Sequence, residues 1–123
     1  IESRHIYVAP GGHHMLVETR GTQKLLRLSD APPENFCKPA VDPMLRSIAK
    51  AYGPAVLVTI LTGMGYDGRS GGEEIIRQGG TIIAQDKETS VVWGMPGAVA
   101  TSGLCSAVLP LKELGPHIAK LAA

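Results

Sequence analysis

Residues 55–68 constrain the chain more than any other stretch. Ala55-Val56-Leu57-Val58-Thr59-Ile60-Leu61 is an apolar run broken only by Thr59, and Thr62-Gly63-Met64-Gly65-Tyr66-Asp67-Gly68 follows it directly. A continuous apolar run of strand length predicts a strand buried on both faces, as in a parallel sheet. Three glycines within residues 63–68 predict a sharp turn whose N–H groups stay accessible. In open parallel sheets ligands bind outside the carboxyl ends of the strands, so this turn is the first place to look for chemistry.

The rest of the chain falls into place around that unit. Upstream, residues 5–9 are a β-rich run stopped by Pro10-Gly11-Gly12, and residues 14–20 and 23–28 flank Gly21-Thr22. A two-residue loop with Gly first predicts a type II′ hairpin. Residues 30–39 hold three prolines and predict an irregular loop. Val41, Met44, Leu45, Ile48 and Ala49 then follow helical spacing, with Asp42 as expected N-cap, Pro43 at the first helical position and Gly53-Pro54 as the stop. After the glycine turn the sequence predicts a helix over 68–78, a strand over 81–85, a helix over 95–102, a strand over 107–109 and a helix over 111–121. The order βαβαβα implies right-handed crossovers. The expected fold is therefore α/β: a doubly wound, mostly parallel, Rossmann-like sheet preceded by an antiparallel hairpin.

Composition removes several classes of function. With 123 residues the chain supports one small domain. Twelve Lys+Arg oppose eleven Asp+Glu and form no basic stripe, so no nucleic-acid footprint is expected. The apolar run is far short of the roughly 20 residues of a membrane span, and no leader pattern opens the sequence, so no direct membrane insertion is expected. Cys37 and Cys105 match no metal spacing and read as reduced thiols of a cytoplasmic protein, Cys37 as a partly buried one.

The glycine turn supports three readings. Gly63, Gly65 and Gly68 fit a G-x-G-x-x-G dinucleotide fingerprint, with Asp86 ending the next strand; against it, Asp67 stands where a pyrophosphate would have to sit. Gly68-Arg69-Ser70-Gly71-Gly72 fits a serine-hydrolase elbow with Asp86 and His117 downstream. Ser70, however, lies nine residues past Leu61, and Ser70 with Glu73 also forms a capping-box pattern. The third reading makes Asp67 the functional residue, because a helix N-terminus favours a carboxylate that orients a catalytic histidine. The plain alternative is that Asp67 is an N-cap and nothing more.

Ile6-Tyr7-Val8-Ala9-Pro10-Gly11, His14-Met15, Lys38-Pro39-Ala40-Val41-Asp42, Ile60 to Gly68 with its T-G-M-G-x-D-G core, Ala84-Gln85-Asp86 and Gly94-Met95-Pro96 occur in one order. Over essentially its whole length the chain resembles the catalytic domain of the chemotaxis-type protein-glutamate methylesterases, the CheB family. The resemblance implies a serine hydrolase on a doubly wound α/β sheet, with no metal and no cofactor. It implies hydrolysis of glutamate methyl esters on the cytoplasmic domains of methylated chemoreceptors, and deamidation of certain receptor glutamines. It places Asp67 as the acid of a Ser-His-Asp triad, and Met64 and Gly65 at the oxyanion and substrate pocket.

Two departures accompany the resemblance. The family's serine lies in a G-x-S-T-G-G turn and its histidine in a Q-H-M-P segment; neither motif occurs in these 123 residues. The receiver domain of typical members is not among them either. The expected reading is that residues 1–123 are the C-terminal portion of a catalytic domain, inactive alone. A bare edge is then expected on the 55–61 strand, covered by a dimer partner or by the upstream fragment. His14 matches a family segment without the triad histidine, so it reads as a loop or strand-edge residue, with a cleft wall as the alternative. His13 and His14 project oppositely and make a poor chelating pair. Asp86 is expected to cap the segment after its strand, and Trp93 to pack under the glycine turn or line the groove.

Overall fold

The structure is a computed structural model describing all residues, Ile1–Ala123. Strands β1 (His14–Arg20) and β2 (Gln23–Ser29) form an antiparallel hairpin closed by Arg20↔Gln23. Gly21 at φ 60° supplies the positive φ and Thr22 does not share it, the signature of the expected II′ turn. Helix α1 (Val41–Tyr52) packs on this hairpin, with Val17 N–H donating to Ser47 Oγ at 2.9 Å. Strand β3 (Leu57–Ile60), helix α2 (Arg69–Arg77), strand β4 (Thr81–Gln85), helix α3 (Gly94–Thr101), strand β5 (Ala107–Leu109) and helix α4 (Leu111–Ala122) complete the chain. The strands pair in parallel in the order β3-β4-β5.

Strand alternation sorts the core. Val58, Ile60, Ile82 and Ala84 face α1, α2 and α3, where Leu45, Ala49, Ile75 and Val99 close one buried cluster. Of the opposite parity, Ile83 and Gln85 of β4 are buried, whereas Leu57 and Thr59 of β3 are half-buried. On that side Leu121 and Ala122 of α4 lie beside Leu57 and Thr81. Two glycines let α2 approach closely: a Cβ on Gly71 would stand 2.7 Å from Asp42 O, and one on Gly72 3.0 Å from Ile82 Cδ1. The predicted α/β class and order of elements therefore hold, and no helix is long and apolar enough to cross a membrane.

Four local expectations fail. Residues 5–9 form no strand, because no backbone group of the chain pairs with theirs, and Ile6 and Val8 stand 92% and 83% exposed. The 55–61 strand shrinks to Leu57–Ile60, an edge with β4 on one side only, and it buries chiefly one face, because only Val58 and Ile60 point into the cluster formed with the helices. Asp42 is not the N-cap of α1: Ala40 holds that place and Asp42 lies inside the first turn. Ser70 caps nothing, because Gly68 in the left-handed region occupies the N-cap of α2.

Candidate active site at the β3–α2 turn

The turn after β3 is fixed by the polypeptide around it. Thr62 N–H donates to Oε1 of buried Gln85 at 2.9 Å, and Thr62 Oγ1 exchanges hydrogen bonds with the backbone of Val92. Gly63 N–H donates to Val92 O at 3.1 Å, and Met95 N–H donates to Gly63 O at 2.8 Å. A Cβ on Gly94 would stand 2.6 Å from Gly65 O, so the start of α3 lies directly against the turn. Gly65 at φ 92° and Gly68 at φ 106° take conformations that other residues rarely adopt. Val92, Gly94 and Met95 make these contacts, whereas the Trp93 ring, expected under the turn, lies against Gly97.

This pinning leaves backbone donors open. The N–H groups of Met64 and Gly65 donate to no group in the chain, and the Met64 side chain is 84% exposed. Fixed N–H groups with no acceptor inside the chain are the kind of donor an oxyanion pocket requires.

Asp67 is 5% exposed and faces inward, yet it does not cap its own helix. Its Oδ2 accepts from Val41 N–H at 2.7 Å and its Oδ1 from Asp42 N–H at 3.0 Å, both in the first turn of α1. Asp42, 3% exposed, returns the arrangement: its Oδ1 accepts from Gly68 N–H at 3.0 Å and Gly71 N–H at 2.7 Å at the start of α2. Each carboxylate thus satisfies orphan donors of the other helix, and each sits where the helix field favours negative charge. One amide joins them: Asn35 Nδ2 donates to Asp42 Oδ2 at 2.7 Å and to Asp67 Oδ1 at 3.0 Å. Asn35 and Asp42 also line an open hollow of about 360 Å³ with Tyr66, Arg69, Ser70 and Glu73.

Sequence reasoning missed Asn35 altogether and read Asp42 as a local cap. The one sequence signal was the Asp-Pro pair at a helix start, which marks a capping carboxylate without saying which helix it caps. The dinucleotide reading fails for a related reason. The N–H groups at the start of α2 already hold the Asp42 carboxylate, and it is Asp42, not Asp67, that excludes a pyrophosphate there.

The remaining candidates resolve as structural groups. Ser70 is exposed and hydrogen-bonds to no histidine, so no elbow triad forms with His117. Asp86 Oδ1 accepts from Thr89 N–H at 2.9 Å, the expected cap. His14 is 1% exposed; its Nδ1 accepts from Ala40 N–H at 3.1 Å, which assigns the proton to Nε2, 2.9 Å from Pro32 O. It anchors the loop that carries Asn35. His13 projects the other way and meets Asp30 at 2.6 Å. Cys37, expected to be partly buried, is exposed, because the loop turns outward at Phe36, itself 98% exposed. No group of three His, Cys, Asp or Glu residues is placed to hold a metal ion.

Comparison with known proteins places this geometry in a family. The model of the CheB methylesterase family matches residues 1–118. A protein-glutamate methylesterase/protein-glutamine glutaminase of Paramagnetospirillum magneticum is 66% identical over 123 residues, and one of Rhodospirillum rubrum is 62% identical over 122. The chain spans 32% of the length of each of these relatives, which align with 100% and 99% of it. The crystal structure of the Thermotoga maritima CheB methylesterase catalytic domain superposes with a TM-score of 0.90 at 37% identity, covering 94% of this chain and 61% of that one. A buried carboxylate at the carboxyl end of a parallel strand, beside open backbone donors, is thus found in a chain that belongs to the CheB methylesterase family.

Proposed function

We propose that residues 1–123 are the aspartate-bearing part of a longer cytoplasmic methylesterase. That enzyme hydrolyses glutamate γ-methyl esters, and deamidates glutamines, on the cytoplasmic domains of chemoreceptors. The serine and histidine of the triad come from outside these residues. The observation that carries the reading is the hydrogen-bond count on Asp67. A carboxylate offers about four acceptor positions. Val41 N–H, Asp42 N–H and the Asn35 amide fill three, leaving one on Oδ2. That position suits the Nδ1–H of a histidine, which Asp67 holds in the tautomer that leaves Nε2 free to act as base.

The chemistry follows from the parts. The serine Oγ attacks the ester carbonyl while the histidine takes its proton. The carbonyl oxygen, now negative, lies against the Met64 N–H with Gly65 beside it. The C–OCH₃ bond breaks, the histidine returns the proton, and methanol leaves an acyl-serine. Water repeats the cycle and releases the glutamate carboxylate. Asp67 accepts no proton in either half; it stabilises the imidazolium that forms twice.

The test is methanol release from a methylated chemoreceptor cytoplasmic domain by the full-length chain carrying these residues. The expected result is release that depends on that chain. No release from a folded full-length chain would overturn the reading.

A further inference from the structure

We infer that Asn35 is a positioning residue of the methylesterase reaction, holding Asp67 through its side-chain amide; this rests on the reading of Asp67 given above. Both hydrogens of Asn35 Nδ2 are committed, one to each carboxylate. Carboxylates accept only, so the nitrogen of the amide must be the atom that faces them. Asp42 and Asp67 are both buried, and two like charges held by one nitrogen would push apart if that donor were lost.

The loop is built to deliver this group. Asn35 and Phe36 both lie at positive φ, 53° and 63°, in a tight turn closed by Cys37 N–H to Glu34 O at 2.8 Å and Glu34 N–H to Cys37 O at 3.1 Å. Asn is among the few side-chain-bearing residues that tolerate this conformation. Arg46 Nη2 holds the Glu34 carboxylate at 2.7 and 2.8 Å, fastening the turn to α1. The amide therefore arrives on a braced turn.

A neutral donor is the chemically apt choice. A lysine or arginine here would hold Asp67 by cancelling the charge that the histidine needs. An amide fixes the carboxylate's rotation and leaves its charge in place. Three donors on two oxygens then determine where the remaining Oδ2 position points.

The experiment compares Asn35→Gly, Asn35→Asp and Asp67→Ala in the full-length protein, by methanol release from a glutamate γ-methyl ester peptide, with the folded fraction checked by circular dichroism. Gly and Asp both accept the positive φ, so a role confined to the turn predicts wild-type kcat for each. Positioning predicts kcat lower by about 10- to 100-fold per folded molecule, the effect of a misplaced catalytic group, with KM within about twofold. Asn35→Asp, which replaces the donor by a third acceptor, falls at least as far as Asn35→Gly. Wild-type kcat in both Asn35 variants, with Asp67→Ala inactive, overturns the inference and leaves the role of Asp67 standing. Full activity in Asp67→Ala overturns both. If Asn35→Gly does not fold, Asn35→Asp decides.

Discussion

Asp42 and Asp67 cap each other's helices: Asp67 binds the first-turn N–H groups of α1 at 2.7 and 3.0 Å, and Asp42 binds those of α2 at 3.0 and 2.7 Å. The exchange crosses the α1–α2 contact at the carboxyl end of β3. It makes the position of the proposed catalytic carboxylate a property of two helices rather than of one loop.

Asp42→Ala leaves the buried N–H groups of Gly68 and Gly71 without an acceptor. The expected cost is about 2–3 kcal/mol of unfolding free energy, a lost cap plus a desolvated donor. Urea denaturation measures it. A midpoint equal to wild type would show that the exchange does not hold the helices together.

Gly71→Ala tests the closeness of the two helices. In an exposed helix interior Ala gains up to about 1 kcal/mol over Gly. Here the added Cβ meets Asp42 O at 2.7 Å and Leu45 Cβ at 2.8 Å, so the clash outweighs propensity and a loss of about 2 kcal/mol is expected. A lowered midpoint in thermal denaturation supports the packing described, and a midpoint at or above wild type contradicts it.

The thiols should differ in reactivity. Cys37 is exposed, while burial raises the Cys105 thiol above its ordinary pKa and so lowers its thiolate fraction near neutral pH. Iodoacetamide at pH 8, followed by peptide mass spectrometry, is expected to label Cys37 first. Rates that converge as pH rises through the Cys105 pKa fit this cause; equal rates at pH 8 do not.

The β3 edge carries an apolar groove of about 340 Å³ lined by Met44, Val58, Ile60, Leu61 and Met95 among others. An unpaired edge of this kind invites pairing. Residues 1–123 expressed alone are expected to scatter light as a species larger than 12.9 kDa and to release no methanol. A dilute monomer would contradict the first expectation, and activity abolished by Ser70→Ala the second.

The sequence was most legible where a local pattern decides the outcome. Gly21-Thr22 set the hairpin turn, and the apolar period of Val41 to Ala49 set α1. Residues 5–9 misled because β-propensity describes a strand and says nothing of a partner. The exchange of Asp42 and Asp67 escaped because capping signals name the cap residue, and only tertiary packing decides whose N–H groups it meets. Asn35 gave no signal, since an Asn in a proline-rich loop ordinarily serves the turn it sits in.

The central claim is that the Asp67 carboxylate orients a histidine. Its most direct measurement is kcat for methanol release by the full-length protein carrying Asp67→Asn, with circular dichroism confirming that the variant is folded. The expected drop is on the order of 10⁴-fold, because an amide holds the wrong tautomer and leaves the imidazolium unbalanced. A folded Asp67→Asn enzyme whose kcat stays within about twofold of wild type would contradict it, since an orienting acid contributes far more than that.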